Sequence, residues 1–188
     1  MSQDSTAIER DLIERLFGDK AFPAFPFKNE TWIGLLLNRD LHGLPGLPMV
    51  IFDALVSSLE AREEMPFTFV PALTSMEGAD AFPCIEVRDW RSYLALLGRL
   101  DFCPEYYLRS AGFSVLLWFD PESVLIGGDA DLVQNVAEEF GGMECLARRC
   151  ADEFGVALED SSSEVAAFIR SIGHLREPRP AGEARYAR

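Results

Sequence analysis

The sequence predicts an α+β fold in which helices flank a small, mainly antiparallel sheet. Between about residues 105 and 127, three short apolar segments are separated by turn signals, as in an antiparallel meander. Apolar residues at helical spacing lie on both sides of this region, and no unit of about 20 to 50 residues repeats. The chain has 188 residues, so we expect residues 1–174 to form one globular domain.

The N-terminal region predicts a helix followed by an extended strap. Thr6 and Glu9 fit a capping box, and Gly18 stands where a helix commonly ends. Prolines exclude a helix over residues 19–30, so the chain should stay extended there. We expect aromatic side chains to anchor this strap on the core, with an exposed aromatic binding surface as the alternative. These side chains are Phe22, Phe25 and Phe27.

The next region predicts two helices and several strands. Residues 32–37 are apolar throughout and fit either a buried strand or a helix. A helix is predicted over residues 48–62, because proline suits a first helical turn and apolar residues follow at helical spacing. Short strands are predicted at residues 67–70 and 83–87. Asp89 is then expected to cap another helix.

Within the meander, strands are predicted at residues 106–109, 113–119 and 124–126. Gly127 and Gly128 follow, and Asp129 is expected to cap a helix. A glycine pair before a helix is a possible phosphate site, but the Asp129 carboxylate would fill the cap and repel a phosphate. We therefore predict no phosphate site there.

Two more helices and a tail complete the predicted chain. The helices should cover residues 143–154, closed by Gly155, and residues 162–172, closed by Gly173. Residues 175–188 are rich in proline, glycine and arginine, and we expect this tail to be disordered.

The charge of the chain argues against several functions. It carries 31 acidic and 17 basic side chains, a formal net charge of −14. Nucleic acids and anionic membranes bind clustered lysine and arginine, so we predict neither as a direct partner. No apolar stretch reaches the roughly 20 residues of a membrane span, and the N-terminus lacks a basic segment with an apolar run. A cytoplasmic location is the resulting expectation.

The cysteines and histidines form no motif that indicates a metal or a nucleophile. No pair of cysteines has CxxC spacing, and the histidines are distant from them in sequence. We predict reduced, buried cysteines, and no catalytic residue, metal ligand or cofactor. A reactive thiol is the alternative for the cysteines. The residues concerned are Cys84, Cys103, Cys145, Cys150, His42 and His174.

Acidic residues concentrate between residues 120 and 164, where twelve carboxylates stand against two arginines, a net charge of −10. Such a field steers basic surfaces toward the protein, so we predict a basic protein partner. The alternative is that these acids are the solvated faces of amphipathic helices. The predicted contact residues are Asp129, Asp131, Glu138, Glu139, Glu144, Asp152 and Glu153.

One strand of the meander ends in Trp118-Phe119-Asp120-Pro121, the next contains Val124-Leu125-Ile126-Gly127-Gly128-Asp129, and an acidic helix follows. Over about residues 106–140, this architecture and charge resemble small bacterial immunity proteins that neutralise toxins. The resemblance implies an inhibitor that occupies the basic active-site cleft of a toxin, without catalysis. It transfers no residue roles. A secretion chaperone and an enzyme with an unrecognised site are the alternatives.

Overall fold

The computed structural model describes residue 16 and residues 25–39, 46–71, 85–100 and 105–175. Within these ranges, six strands form one antiparallel sheet that packs with five helices, which confirms the α+β class. Several predictions lie outside the described residues. These are the first helix apart from Leu16, the anchor Phe22, the residues Cys84, Cys103 and His42, and the tail beyond Leu175.

The sheet has the strand order β1-β6-β5-β4-β2-β3, and all neighbours are antiparallel. The consecutive strands β4, β5 and β6 form the predicted meander. Residues 32–37, which fit a strand or a helix by sequence, belong to a strand that pairs along its whole length with β6. The strands are β1 Trp32–Asn38, β2 Phe67–Pro71, β3 Ile85–Val87, β4 Tyr106–Arg109, β5 Val115–Phe119 and β6 Ser123–Asp129.

Local capping explains where two of the helices begin. The Asp89 carboxylate accepts a hydrogen bond of 2.7 Å from the backbone amide of Ser92, and the Ser92 hydroxyl accepts one from the Asp89 amide. The predicted cap at Asp89 is therefore confirmed. Ser163 caps the last helix by accepting from the Ala166 amide. The helices are α1 Met49–Glu60, α2 Trp90–Leu97, α3 Ala130–Glu138, α4 Met143–Glu153 and α5 Glu164–Ile172.

The core on one side of the sheet is built from stacked aromatic rings. Phe52 of α1 and Tyr93 of α2 stack with ring centroids 4.9 Å apart, and Tyr106 and Phe119 stack at 4.2 Å on the sheet. The buried Tyr93 hydroxyl accepts a hydrogen bond of 2.9 Å from the Leu47 amide, which satisfies its oxygen. Burial raises the pKa of Tyr93. This packing fixes α1 and α2 against the sheet.

Glycines in β6 allow close packing and do not form a phosphate loop. A Cβ atom at Gly127 would lie 2.2 Å from the ring of Phe27, so only glycine leaves room for this ring. Phe27 is buried and packs edge-on against Trp32, with ring centroids 5.6 Å apart. The predicted anchoring role of Phe27 is confirmed.

The sequence predicts that the third strand of the meander ends at Ile126, but β6 continues through the glycine pair to Asp129.

None of the helices in the described ranges has the length and apolar character required to cross a membrane.

The end of α4 confirms the predicted stop at Gly155, which adopts a left-handed backbone with φ of 68°. At the end of α5, Gly173 keeps a right-handed conformation, and the positive φ falls on His174 instead.

Candidate protein-binding surface

The seven predicted contact residues lie on α3 and α4 or directly beside them, and they do not all line the same depression. Asp131 and Glu139 line a groove between α1 and α3. Glu144 lines a second depression, formed by α4, α5 and the segment between them. The remaining four residues line neither. They are Asp129, Glu138, Asp152 and Glu153.

Asp129 has an internal structural role. Its Oδ1 accepts a hydrogen bond of 3.1 Å from the indole Nε1 of Trp32, which lies opposite it in the β1–β6 register. Its Oδ2 lies 3.3 Å from a guanidinium nitrogen of Arg62. Asp129 occupies the predicted N-cap position of α3, but its side chain forms no capping hydrogen bond. The cross-strand pairing with Trp32 and the nearby arginine direct the carboxylate away from the helix amides.

Arg62 links two of the predicted contact residues to the end of α1. Its guanidinium also donates a hydrogen bond to the carboxylate of Asp131. This hydrogen bond lowers the pKa of Asp131 and raises the pKa of Arg62. One arginine thus faces two carboxylates, Asp129 and Asp131, and a negative charge remains in excess.

The groove between α1 and α3 encloses about 740 Å³. The α1 wall combines small and aliphatic side chains with the carboxylate of Asp53, the α3 wall is polar, and Phe140 lies at the C-terminal end of α3. Val50 is 61% exposed at this groove, and the neighbouring Met49 is 51% exposed. The α1 wall contains Val50, Ala54, Ser57, Ser58 and Ala61.

The acidic side chains of the groove exceed its single arginine. Asp53 of α1 and Glu139 are exposed, and no basic group of the described residues lies within ion-pair distance of either. Asp131 shares Arg62 with Asp129. The groove therefore combines uncovered apolar surface with carboxylates that are available to a cation.

The second depression differs because its acids are already paired. Arg148 lies 3.3 Å from Glu144, one helical turn away, and also forms an ion pair with Glu159. Arg170 is buried and donates hydrogen bonds to the backbone carbonyls of Leu158 and Asp160. This depression encloses about 410 Å³ and has no comparable acidic excess.

Glu153 and Asp152 lie side by side at the end of α4 and differ in their contacts with the described residues. The Glu153 Oε2 accepts a hydrogen bond of 3.3 Å from the Asn38 amide, and the Glu153 carbonyl accepts one of 3.2 Å from the Asn38 side chain. Glu153 therefore ties α4 to β1. Asp152 and Glu138 are exposed, and neither forms an ion pair with a described residue.

A buried cluster of serines and a glutamate lies at the turn between β4 and β5. The hydroxyls of Ser110 and Ser114 both donate to the Glu64 Oε2. The Ser110 oxygen in turn accepts from the amides of Ser114 and Val115, at 3.1 and 3.2 Å. These hydrogen bonds fasten the turn to the loop after α1. The cluster contains no histidine that could activate a serine.

Among the described residues, no group of three histidine, cysteine or carboxylate side chains could hold a metal ion.

Cys150 is buried, and desolvation raises its pKa to about 12, so its thiol stays protonated near neutral pH. Cys145 is exposed. The exposed His174 lies against the ring of Phe25, with ring centroids 5.4 Å apart.

Comparison with known proteins gives no match: no family model, no curated protein and no solved structure is significantly similar to this chain. The geometry and charge of the groove are therefore the guide to function.

Sequence reasoning missed the contribution of α1 to the groove. Its apolar positions were assigned to an inward face, which Ile51, Phe52 and Leu55 indeed form. The available signal was Met49 and Val50, which are aliphatic but precede the inward stripe. Proximity of α1 to α3 could not be inferred from their sequence positions, because long-range packing creates it.

Proposed function

We propose that this protein is an acidic binding protein that acts as an immunity protein, inhibiting a basic toxin by occupying its active-site cleft. The observation that carries this proposal is the set of exposed carboxylates on α1, α3 and α4 without an ion-pair partner in the described ranges, in a chain of net charge −14. They are Asp53, Glu138, Glu139 and Asp152.

Electrostatic attraction should increase both the association rate and the affinity of this inhibitor for a basic toxin. A strongly acidic protein accelerates encounter with a basic surface by about 10 to 1,000-fold at low salt. Carboxylates then form charge-assisted hydrogen bonds with the arginine and lysine side chains of a cleft built to hold phosphates. Inhibition follows from occupancy of the cleft, so the protein needs no chemical step of its own. We propose that it acts in the cytoplasm.

The test is to capture proteins from the native host on the immobilised full chain at low salt. A captured protein supports the proposal if it is basic, if it loses its activity when the chain binds, and if its Kd rises at least about tenfold between about 50 and 500 mM salt. A Kd that is independent of salt, or a partner that stays active in the complex, would contradict the proposal.

The exposed apolar side chains at the start of α1 favour a second candidate, a secretion chaperone. Met49 and Val50 would then hold an unfolded segment of a client protein through apolar contacts. Such binding depends weakly on salt, and this class of protein acts as a dimer. A salt-independent Kd for an unfolded client, together with a dimer in sedimentation equilibrium, would favour the chaperone over the inhibitor.

A further inference from the structure

We propose that the groove between α1 and α3 receives a cationic amphipathic segment of the partner, with an apolar side chain beside Val50 and Ala54 and an arginine or lysine at Asp53 and Glu139. This inference rests on the proposed function, because it names the surface through which a basic partner binds. Three properties of the groove support this assignment: its shape, its uncovered apolar surface and its charge.

The shape follows from small residues on the α1 wall. Alanine and serine at Ala54, Ser57, Ser58 and Ala61 leave space where larger side chains would reach toward α3. The resulting volume of about 740 Å³ can accept several side chains of a docked segment. Docking of an amphipathic segment into a groove between helices is a recurrent mode of peptide recognition.

The apolar contribution comes from the start of α1. Val50 is 61% exposed and lines the groove, and Met49, which is 51% exposed, precedes it. A partner that covers these adjacent aliphatic side chains removes them from water, and this burial stabilises the complex. An apolar side chain on the partner is therefore part of the predicted segment.

The charge selects the sign of the partner. Asp53 and Glu139 have no ion-pair partner among the described residues, and Asp131 shares Arg62 with Asp129. The groove lining therefore carries three carboxylates against one guanidinium group, an excess of two. A second copy of this chain, with its net charge of −14, would be repelled. Positive side chains on the partner would be attracted.

The first experiment measures the Kd of the captured basic partner for two variants of the full chain. The groove variant carries Asp53→Asn and Glu139→Gln. The control carries Glu30→Gln and Glu122→Gln, which remove the same charge at exposed positions outside the groove. We expect the groove variant to bind at least about tenfold more weakly, and the control to change Kd by less than about twofold.

A third variant tests the apolar contact. Val50→Ser should weaken binding by about fivefold, whereas Leu94→Ser, which alters a side chain 44% exposed on α2, should have almost no effect. If the groove and control variants weaken binding equally, bulk charge alone explains recognition. The proposed function would then stand, and the groove inference would be overturned.

If no basic partner is captured, the proposed function fails, and a peptide probe tests the groove by itself. We suggest a 15-residue helical peptide of leucine and arginine, with a leucine and glutamate peptide as its control. We expect the cationic peptide alone to shift the backbone NMR signals of α1 and α3, and Val50→Ser to reduce these shifts. No shift, or equal shifts with both peptides, would overturn the inference.

Two other occupants are outcomes of the same measurements. If replacing the arginines of the C-terminal tail by glutamine shifts the groove signals without any peptide, the tail of this chain occupies the groove. A dimer that dissociates on Val50→Ser would instead identify a second copy as the occupant. Either result would overturn the assignment to a partner. The tail arginines are Arg176, Arg179, Arg185 and Arg188.

Discussion

The outward faces of α1 and α4 are both exposed, but their composition differs sharply. The face of α4 contains Glu144, Arg148 and Arg149, and Arg148 is paired with Glu144 and with Glu159 of the following segment. The face of α1 contains Met49, Val50 and Asp53, with no basic residue along the helix. Acidic composition alone points to α4 as a binding surface. Exposed apolar area and unpaired carboxylates point instead to α1.

The difference shows that a carboxylate counts toward recognition only when the fold leaves it available. Exposed ion pairs such as Arg148–Glu144 are an ordinary property of solvated helices and contribute little energy. Near α1, the only ion pairs among the described residues belong to Arg62, which follows the helix, and two acids compete for it. The following predictions test this contrast, beginning with the largest expected effect.

Substitutions on the two faces of α1 should differ most in their effect on the free energy of unfolding. Phe52 is fully buried and stacks on Tyr93, so Phe52→Ala should lower the free energy of unfolding by about 3–5 kcal/mol. Val50→Ala, on the exposed face of the same helix, should change it by less than about 0.5 kcal/mol. Urea denaturation of both variants measures the difference. Equal losses would mean that Val50 is covered in the free protein.

Arg62→Gln should lower the stability of the protein but strengthen its binding to the cationic peptide. Loss of its ion pairs with Asp129 and Asp131 should lower the free energy of unfolding by about 1 kcal/mol. The same change leaves both carboxylates unpaired, so the cationic peptide should bind about threefold more tightly. Arg91→Gln, at an exposed position of α2, is the charge-matched control for peptide titration. Weaker binding by Arg62→Gln would show that this arginine contacts the peptide.

The Arg62–Asp131 hydrogen bond should also appear in the pH dependence of stability. Because the folded state lowers the pKa of Asp131, this contribution is fully present above the unfolded-state value of about 3.9. It is lost as the pH falls through the lower folded-state value. Urea midpoints between about pH 5 and 2 should therefore fall less steeply for Asp131→Asn than for wild type. Asn135→Ala, a substitution on the same helix that removes no titratable group, should keep the wild-type slope.

The smallest effect is expected on α4. Arg148→Gln should lower the free energy of unfolding only slightly at low salt, because its ion pairs are exposed to solvent. Thermal melts with and without about 1 M salt should show this loss only at low salt. Binding of the cationic peptide should be unchanged. A binding loss comparable to that of the Asp53 and Glu139 variant would move recognition toward α4.

Local signals in the sequence predicted much of the fold. Asp89 and Ser92 form a capping box within one helical turn, and this interaction needs no distant residue. The three strands of the meander are joined by short turns, so their order and pairing follow from sequence neighbours. The same local reasoning failed at Asp129, since its carboxylate binds Trp32 across the sheet.

The sequence by itself determined the α+β class, the meander and the acidic character of the chain, because periodicity, turn residues and charge are properties of adjacent or countable residues. Only the tertiary structure decided that residues 32–37 form a strand at the edge of the sheet and that α1 lies beside α3. It also decided which carboxylates remain unpaired. The physical reason is that strand register, helix packing and ion pairing all depend on contacts between residues far apart in the chain.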